Sequence, residues 1–71
     1  MDGEQPIAIY PPAVDGGRRV RVGDHFLGMA YGLLDVAEFL RRAGIEDADE
    51  EYVRRSRLIE WRGGGPEAWK R

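Results

Sequence analysis

Residues 32–43 form the one stretch of this sequence that keeps apolar side chains at helical spacing through about three turns. Leu33, Val36, Ala37, Leu40 and Ala43 fall on one face, with Phe39 at its edge, while Asp35, Glu38, Arg41 and Arg42 fall on the other. This is the pattern of a helix with one buried side. Glu38 stands one turn before Arg41 and Arg42, a spacing that allows surface pairing. Gly44 follows the last periodic residue and Ile45 follows Gly44, the order needed for a left-handed C-terminal cap with its apolar contact.

A single amphipathic helix needs a partner surface, and the remaining apolar segments are short and strand-like. Residues 7–10, Ile-Ala-Ile-Tyr, read as a strand that Pro11-Pro12 ends, because proline offers no ladder donor. Asp15-Gly16-Gly17 supplies a turn. In 18–22, Val20 and Val22 alternate with Arg19 and Arg21, the pattern of a half-buried strand. Gly23-Asp24 then joins it to 25–30 as a two-residue hairpin loop, with Gly suited to the first position of a type II′ turn. Gly28 inside the second arm implies a bulge or a close approach by the helix.

Beyond the helix, residues 46–51 hold five acids out of six, followed by Tyr52-Val53-Arg54-Arg55-Ser56. Acids first and arginines last suit both ends of a helix dipole, and predict a short second helix. Asp47 with Glu50 three residues on resembles a capping box. Residues 57–61 read as a last strand, and 62–66, Arg-Gly-Gly-Gly-Pro, break it. The order is β-β-β-α-(α)-β. It predicts an α+β fold, a small mostly antiparallel sheet with one main helix packed on one face. The expectation is one domain over 1–71, with 1–5 and 63–71 as flexible or loosely packed ends.

The chain has 71 residues and no cysteine, so neither a disulfide nor a thiolate zinc site can support so small a core. Core candidates include Ile7, Ile9, Val20, Val22, Phe26, Leu27, Leu40, Val53, Ile59 and Trp61. A second copy of the chain is one way to complete such a core. No apolar run approaches the roughly 20 residues of a membrane span, and the acidic start Met-Asp-Gly-Glu-Gln-Pro lacks a signal-peptide pattern. The expected location is therefore cytoplasmic.

The inventory of chemistry is narrow. There is no Asn and no Thr, and only one Ser, one His and one Lys. Ser56 and His25 are the sole nucleophile–base pair available, and nothing in the spacing joins them. The acids of 46–51 lack the central Gly and distal Glu of a calcium loop. Gly63-Gly64-Gly65 lacks the Lys and following helix of a phosphate loop and reads as a joint to the tail. These readings give no catalytic residue, no metal site and no cofactor.

Charge is sorted along the sequence. Net charge is -2, yet removing the five acids of 46–51 leaves +3. Arg18, Arg19 and Arg21 on the hairpin, with Arg54, Arg55 and Arg57 before the last strand, could form one basic face for nucleic acid. Trp61 alternates with Ile59 on the last strand, and Trp69 lies beyond the glycines. Trp61 reads first as core, and Trp69 either folds back over apolar surface the small core leaves exposed or anchors a partner. As the binding reading, both could serve as protein anchors, since tryptophan dominates interface hot spots.

Two stretches carry resemblances. Residues 34–40 followed by Arg57-Leu58-Ile59 are similar to the first helix and following strand of excisionase-type winged helix-turn-helix proteins. The helix that would read DNA, however, starts with Asp49-Glu50-Glu51, whose carboxylates would face phosphates. The hairpin, the helix end at 37–44 and the segment 59–66 together resemble small uncharacterised proteins of actinobacteria, and ten arginines to one lysine fit a GC-rich genome. That resemblance implies an origin and a compact fold, and no activity. The functional expectation is a small non-enzymatic protein–protein interaction or regulatory module, with self-association open to it. The alternative is a nucleic-acid-binding regulator using an arginine-rich sheet face.

Overall fold

The computed structural model describes residues 6–69. The residues expected as a loose start, 1–5, and the last two of the tail lie outside the described residues. Six elements follow in order: β1 (Ile7–Ile9), β2 (Arg18–Val22), β3 (His25–Ala30), α1 (Leu33–Arg42), α2 (Glu50–Arg55) and β4 (Ile59–Trp61). The four strands form one mixed sheet in the order β3-β2-β1-β4. β1–β2 and β2–β3 are antiparallel, and β4 lies parallel to β1. This is the expected small α+β domain, with the sheet antiparallel except at β4.

Alternation decides which side chains meet the helices. Ile7 pairs with Val22 and Ile59, and Ile9 with Val20 and Trp61, so these residues share one face. That inner face packs against Leu33, Val36, Ala37 and Leu40 of α1 and Val53 of α2. Ala8, Arg19, Arg21, Met29 and Glu60 occupy register positions on the opposite, outer face, which carries no helix.

The hairpin departs from simple alternation at one point. Val20 pairs with Gly28 but Arg21 pairs with Phe26, leaving Leu27 as an extra residue in β3. The bulge corrects one expectation. Phe26, a core candidate from its sequence, stands beside Arg21 and is 56% exposed. Gly28 meets the helix as expected: a Cβ there would lie 2.8 Å from the Phe39 ring.

Helix α1 ends with the expected cap. The Ile45 N–H donates to the Leu40 carbonyl at 2.9 Å and the Gly44 N–H to that of Arg41 at 3.1 Å, the paired bonds of a Schellman motif. Ala43 falls at the C-cap and is exposed rather than on the buried stripe. At α2 the cap is Asp49, not Asp47. Its carboxylate accepts the Tyr52 N–H at 2.8 Å, so the helix starts two residues later than a cap at Asp47 would set it. The last strand is likewise shorter, because Arg57 and Leu58 form a turn.

Candidate functional site

The inner face of the sheet has two ends, and each gathers a distinct set of side chains. At the end farthest from the hairpin turn, Arg18 is fully buried. Alternation explains this, since Arg18 shares a face with Val20 and Val22. All five of its N–H donors reach backbone carbonyls. Nε donates to Tyr10 at 2.8 Å, Nη1 to Gly65 and Ala68 at 2.9 and 3.0 Å, and Nη2 to Arg62 and Gly64 at 3.0 and 2.7 Å. Its guanidinium carbon lies 5.3 Å from the Trp61 ring centre and 5.2 Å from that of Trp69. The two indoles meet edge-to-face at 6.4 Å, and the Trp69 Nε1–H donates to the Pro66 carbonyl at 2.7 Å.

This nest bears on two readings. Residues 63–69, expected as a loose end, wrap a buried cation with their carbonyls. Positive φ angles at Gly63 and Gly64 turn those carbonyls inward, and a Cβ on Gly63 would lie 2.6 Å from Pro11. Of the two readings open to Trp61 and Trp69, core or fold-back packing and partner anchoring, the structure has both rings packed on their own domain. Burial lowers the proton affinity of Arg18, but a guanidinium stays charged in proteins. The carbonyl dipoles stand where a carboxylate would otherwise be needed.

The six arginines proposed as one basic face do not share one. Arg18 is buried, while Arg19 and Arg21 are on the outer sheet face. Arg54 and Arg55 lie on α2 and pair with Glu67 and Glu51. Arg57 is exposed in the turn before β4. The physical reason is the sheet order: β4 adds beside β1, so the residues leading into it are not neighbours of β2.

The other end of the inner face is open. A groove of about 870 Å³ runs between the hairpin and the loop after α1. Val22, Leu27, Ile45, Tyr52 and Leu58 line it and pack against the core from below. His25, Phe26, Ala43, Glu46 and Asp47 also line it and are exposed. A concave apolar surface with a few polar groups at its edge is the common form of a binding site. Composition alone could not locate the groove. Its one sequence signal is the hydrophobic pair Phe26-Leu27 placed directly after a hairpin turn.

Ser56 and His25 occupy different structures. The Ser56 Oγ accepts the Leu58 N–H at 3.1 Å in the turn after α2, while His25 opens β3 and is exposed. Among the described residues no group of three or more His, Cys, Asp or Glu could hold a metal ion, and no helix is long and apolar enough to cross a membrane. Fold and site together define a two-layer α+β domain with one sealed and one open end. The chain matches no protein-family model, no curated protein and no solved structure.

Proposed function

We propose that this chain is a small non-enzymatic protein–protein interaction module whose groove receives a peptide segment of a partner. The observation that carries this reading is the apolar floor of Val22, Leu27, Ile45, Tyr52 and Leu58 left open beside exposed Phe26. Such a surface gains free energy when an apolar side chain fills it. The rim sets the charge of the partner. Glu46 and Asp47 border the groove, so it favours a large apolar residue flanked by lysine or arginine. The contact sits in the groove rather than on Trp69, because that ring is already used against Trp61 and Arg18.

The test is a displayed peptide library selected against the parent and against Ala43→Trp. Ala43 lines the groove but is exposed, so a tryptophan there fills the groove without entering the core. The parent should enrich peptides pairing one large apolar residue with adjacent basic residues, and Ala43→Trp should not. Identical selections by both proteins would refute the groove as the binding surface. Light scattering adds the case of a second copy: a parental dimer that Ala43→Trp converts to monomer assigns the groove to self-association.

A further inference from the structure

The outer face of the sheet meets the groove only at the hairpin corner, where Phe26 pairs with Arg21, and elsewhere has a different chemistry. Tyr10 follows directly on the end of β1, half-buried, with the Arg62 guanidinium 4.8 Å and the Arg19 guanidinium 5.6 Å from its ring centre. Arg21 follows Arg19 two residues along β2 on the same face. Its Nη2 reaches only the Asp24 carbonyl, at 3.4 Å. Glu60 is the one carboxylate at a paired register position on this face, and it bonds Arg62 at 3.1 Å. A shallow cleft of about 290 Å³ opens beside Tyr10, bordered by Pro11, Gly17, Arg19 and Met29.

We infer that this outer face is a binding platform for single-stranded nucleic acid. Three guanidinium groups against one carboxylate complement a phosphate backbone, although the whole chain is slightly acidic. The acids of 46–51 do not oppose this, because they belong to the loop and helix layer on the other side of the sheet. Tyr10 and its stacked arginines offer flat surfaces on which unpaired bases stack without regard to sequence. The neighbouring cleft gives one base a place to lie beside Arg19. A duplex offers no exposed base faces, so the platform prefers single strands. An acidic peptide would satisfy the arginines but leave the aromatic surface and cleft unused.

The set differs from the basic cluster expected from sequence. Arg18 leaves it because its donors are spent inside the domain, and Arg54, Arg55 and Arg57 leave it because they belong to other elements. Arg62 joins it because β4 ends beside Tyr10.

Fluorescence anisotropy with labelled mixed-sequence 12-mers of single-stranded DNA and RNA tests the inference. Binding should appear at low salt and weaken roughly 15- to 20-fold between 50 and 200 mM salt if three phosphates are contacted. Arg19→Gln, Arg21→Gln and Arg62→Gln should each flatten the salt dependence by about one phosphate contact. Tyr10→Ala should weaken binding about tenfold, with far-ultraviolet circular dichroism confirming that the sheet is intact. Arg54→Gln should leave binding unchanged. Three results would overturn the inference: no binding of either oligonucleotide at low salt, equal binding of polyglutamate, or loss of binding with Arg54→Gln alone.

Discussion

At the Arg18 end of the sheet the inner face is closed by residues 62–69, whereas at the hairpin end Val22, Leu27 and Leu58 are only half-covered beneath an open groove. Both ends belong to the same thin core, and both have a loop within reach. The difference lies in what each loop can offer. The segment after β4 contains glycines that turn four carbonyls toward one guanidinium, and a tryptophan that lies against it. The loop after α1 turns its own amides back on the helix end, at Gly44 and Ile45, and then continues as exposed acids. A loop occupied with capping its own helix does not cover its neighbour. The closed end is therefore sealed by its own chain, and the open end keeps the apolar floor on which the proposed peptide binding rests.

Arg18 is the place where that contrast breaks most easily. Arg18→Ala removes five hydrogen bonds and the filling between two indoles, and should cost about 3 kcal/mol or more. A domain of this size has roughly 4–10 kcal/mol in total, so loss of cooperative folding in some conditions is expected. Arg18→Lys keeps the charge but cannot form the planar fork, and should cost about 2 kcal/mol. Urea unfolding measures both. Parental stability in Arg18→Lys would mean that the guanidinium does not hold the closed end.

Two further changes act on the same closure. Trp69→Ala should destabilise by about 2 kcal/mol, because the half-buried indole covers Arg18 and Trp61. Gly63→Ala should cost about 1–2 kcal/mol, since it combines a positive φ with a 2.6 Å approach to Pro11. Thermal unfolding followed by tryptophan fluorescence reads both, and an unchanged midpoint for Trp69→Ala would restore that ring to the list of free anchors.

The open end should respond in the opposite sense. Phe26→Ser changes a residue 56% exposed, and stability should move by no more than about 0.5 kcal/mol. Binding of groove-selected peptides should nevertheless fall. A large loss of stability would show that Phe26 serves the core after all.

The smallest expected effect concerns the turn before β2. Bonding from the Gly17 N–H, then from the Tyr31 hydroxyl, holds the Asp15 carboxyl below the ordinary aspartate range, and Asp15 in turn raises the Tyr31 hydroxyl. A lowered carboxylate pKa contributes stability above its unfolded value, and that contribution is lost as pH falls through the folded value. Carbon-detected NMR titration should place the Asp15 transition below that of an exposed aspartate. Tyr31→Phe should move it up, and a transition unaffected by that change would show that the hydroxyl contributes nothing.

The elements readable in the sequence are those whose signals are local. The stripe of Leu33, Val36, Ala37 and Leu40, the cap at Gly44-Ile45, and the hairpin around Gly23-Asp24 each rest on contacts within a few residues, and each forms as expected. The Phe26 position was not readable, because a bulge of one residue shifts a side chain to the other face and leaves no pattern of its own. The Arg18 nest was still less so. Its alternation with Val20 and Val22 placed it on the inner face, but its partners lie 44 to 50 residues away along the chain, apart from Tyr10. Charged residues on short strands ordinarily face water, so composition pointed outward.

By itself, the sequence determined an α+β chain of one main helix, a hairpin and short flanking strands, with charge carried almost wholly by arginine and carboxylate. Those properties follow from periodicity, turn chemistry and the absence of other polar residues. The tertiary structure alone decided that β4 joins the sheet beside β1, and with it which arginines meet solvent and which is enclosed. Strand pairing sets neighbours across the whole chain, and no local spacing encodes that order. The same pairing brought the Gly-Gly-Gly segment over Arg18 and left the hairpin end uncovered.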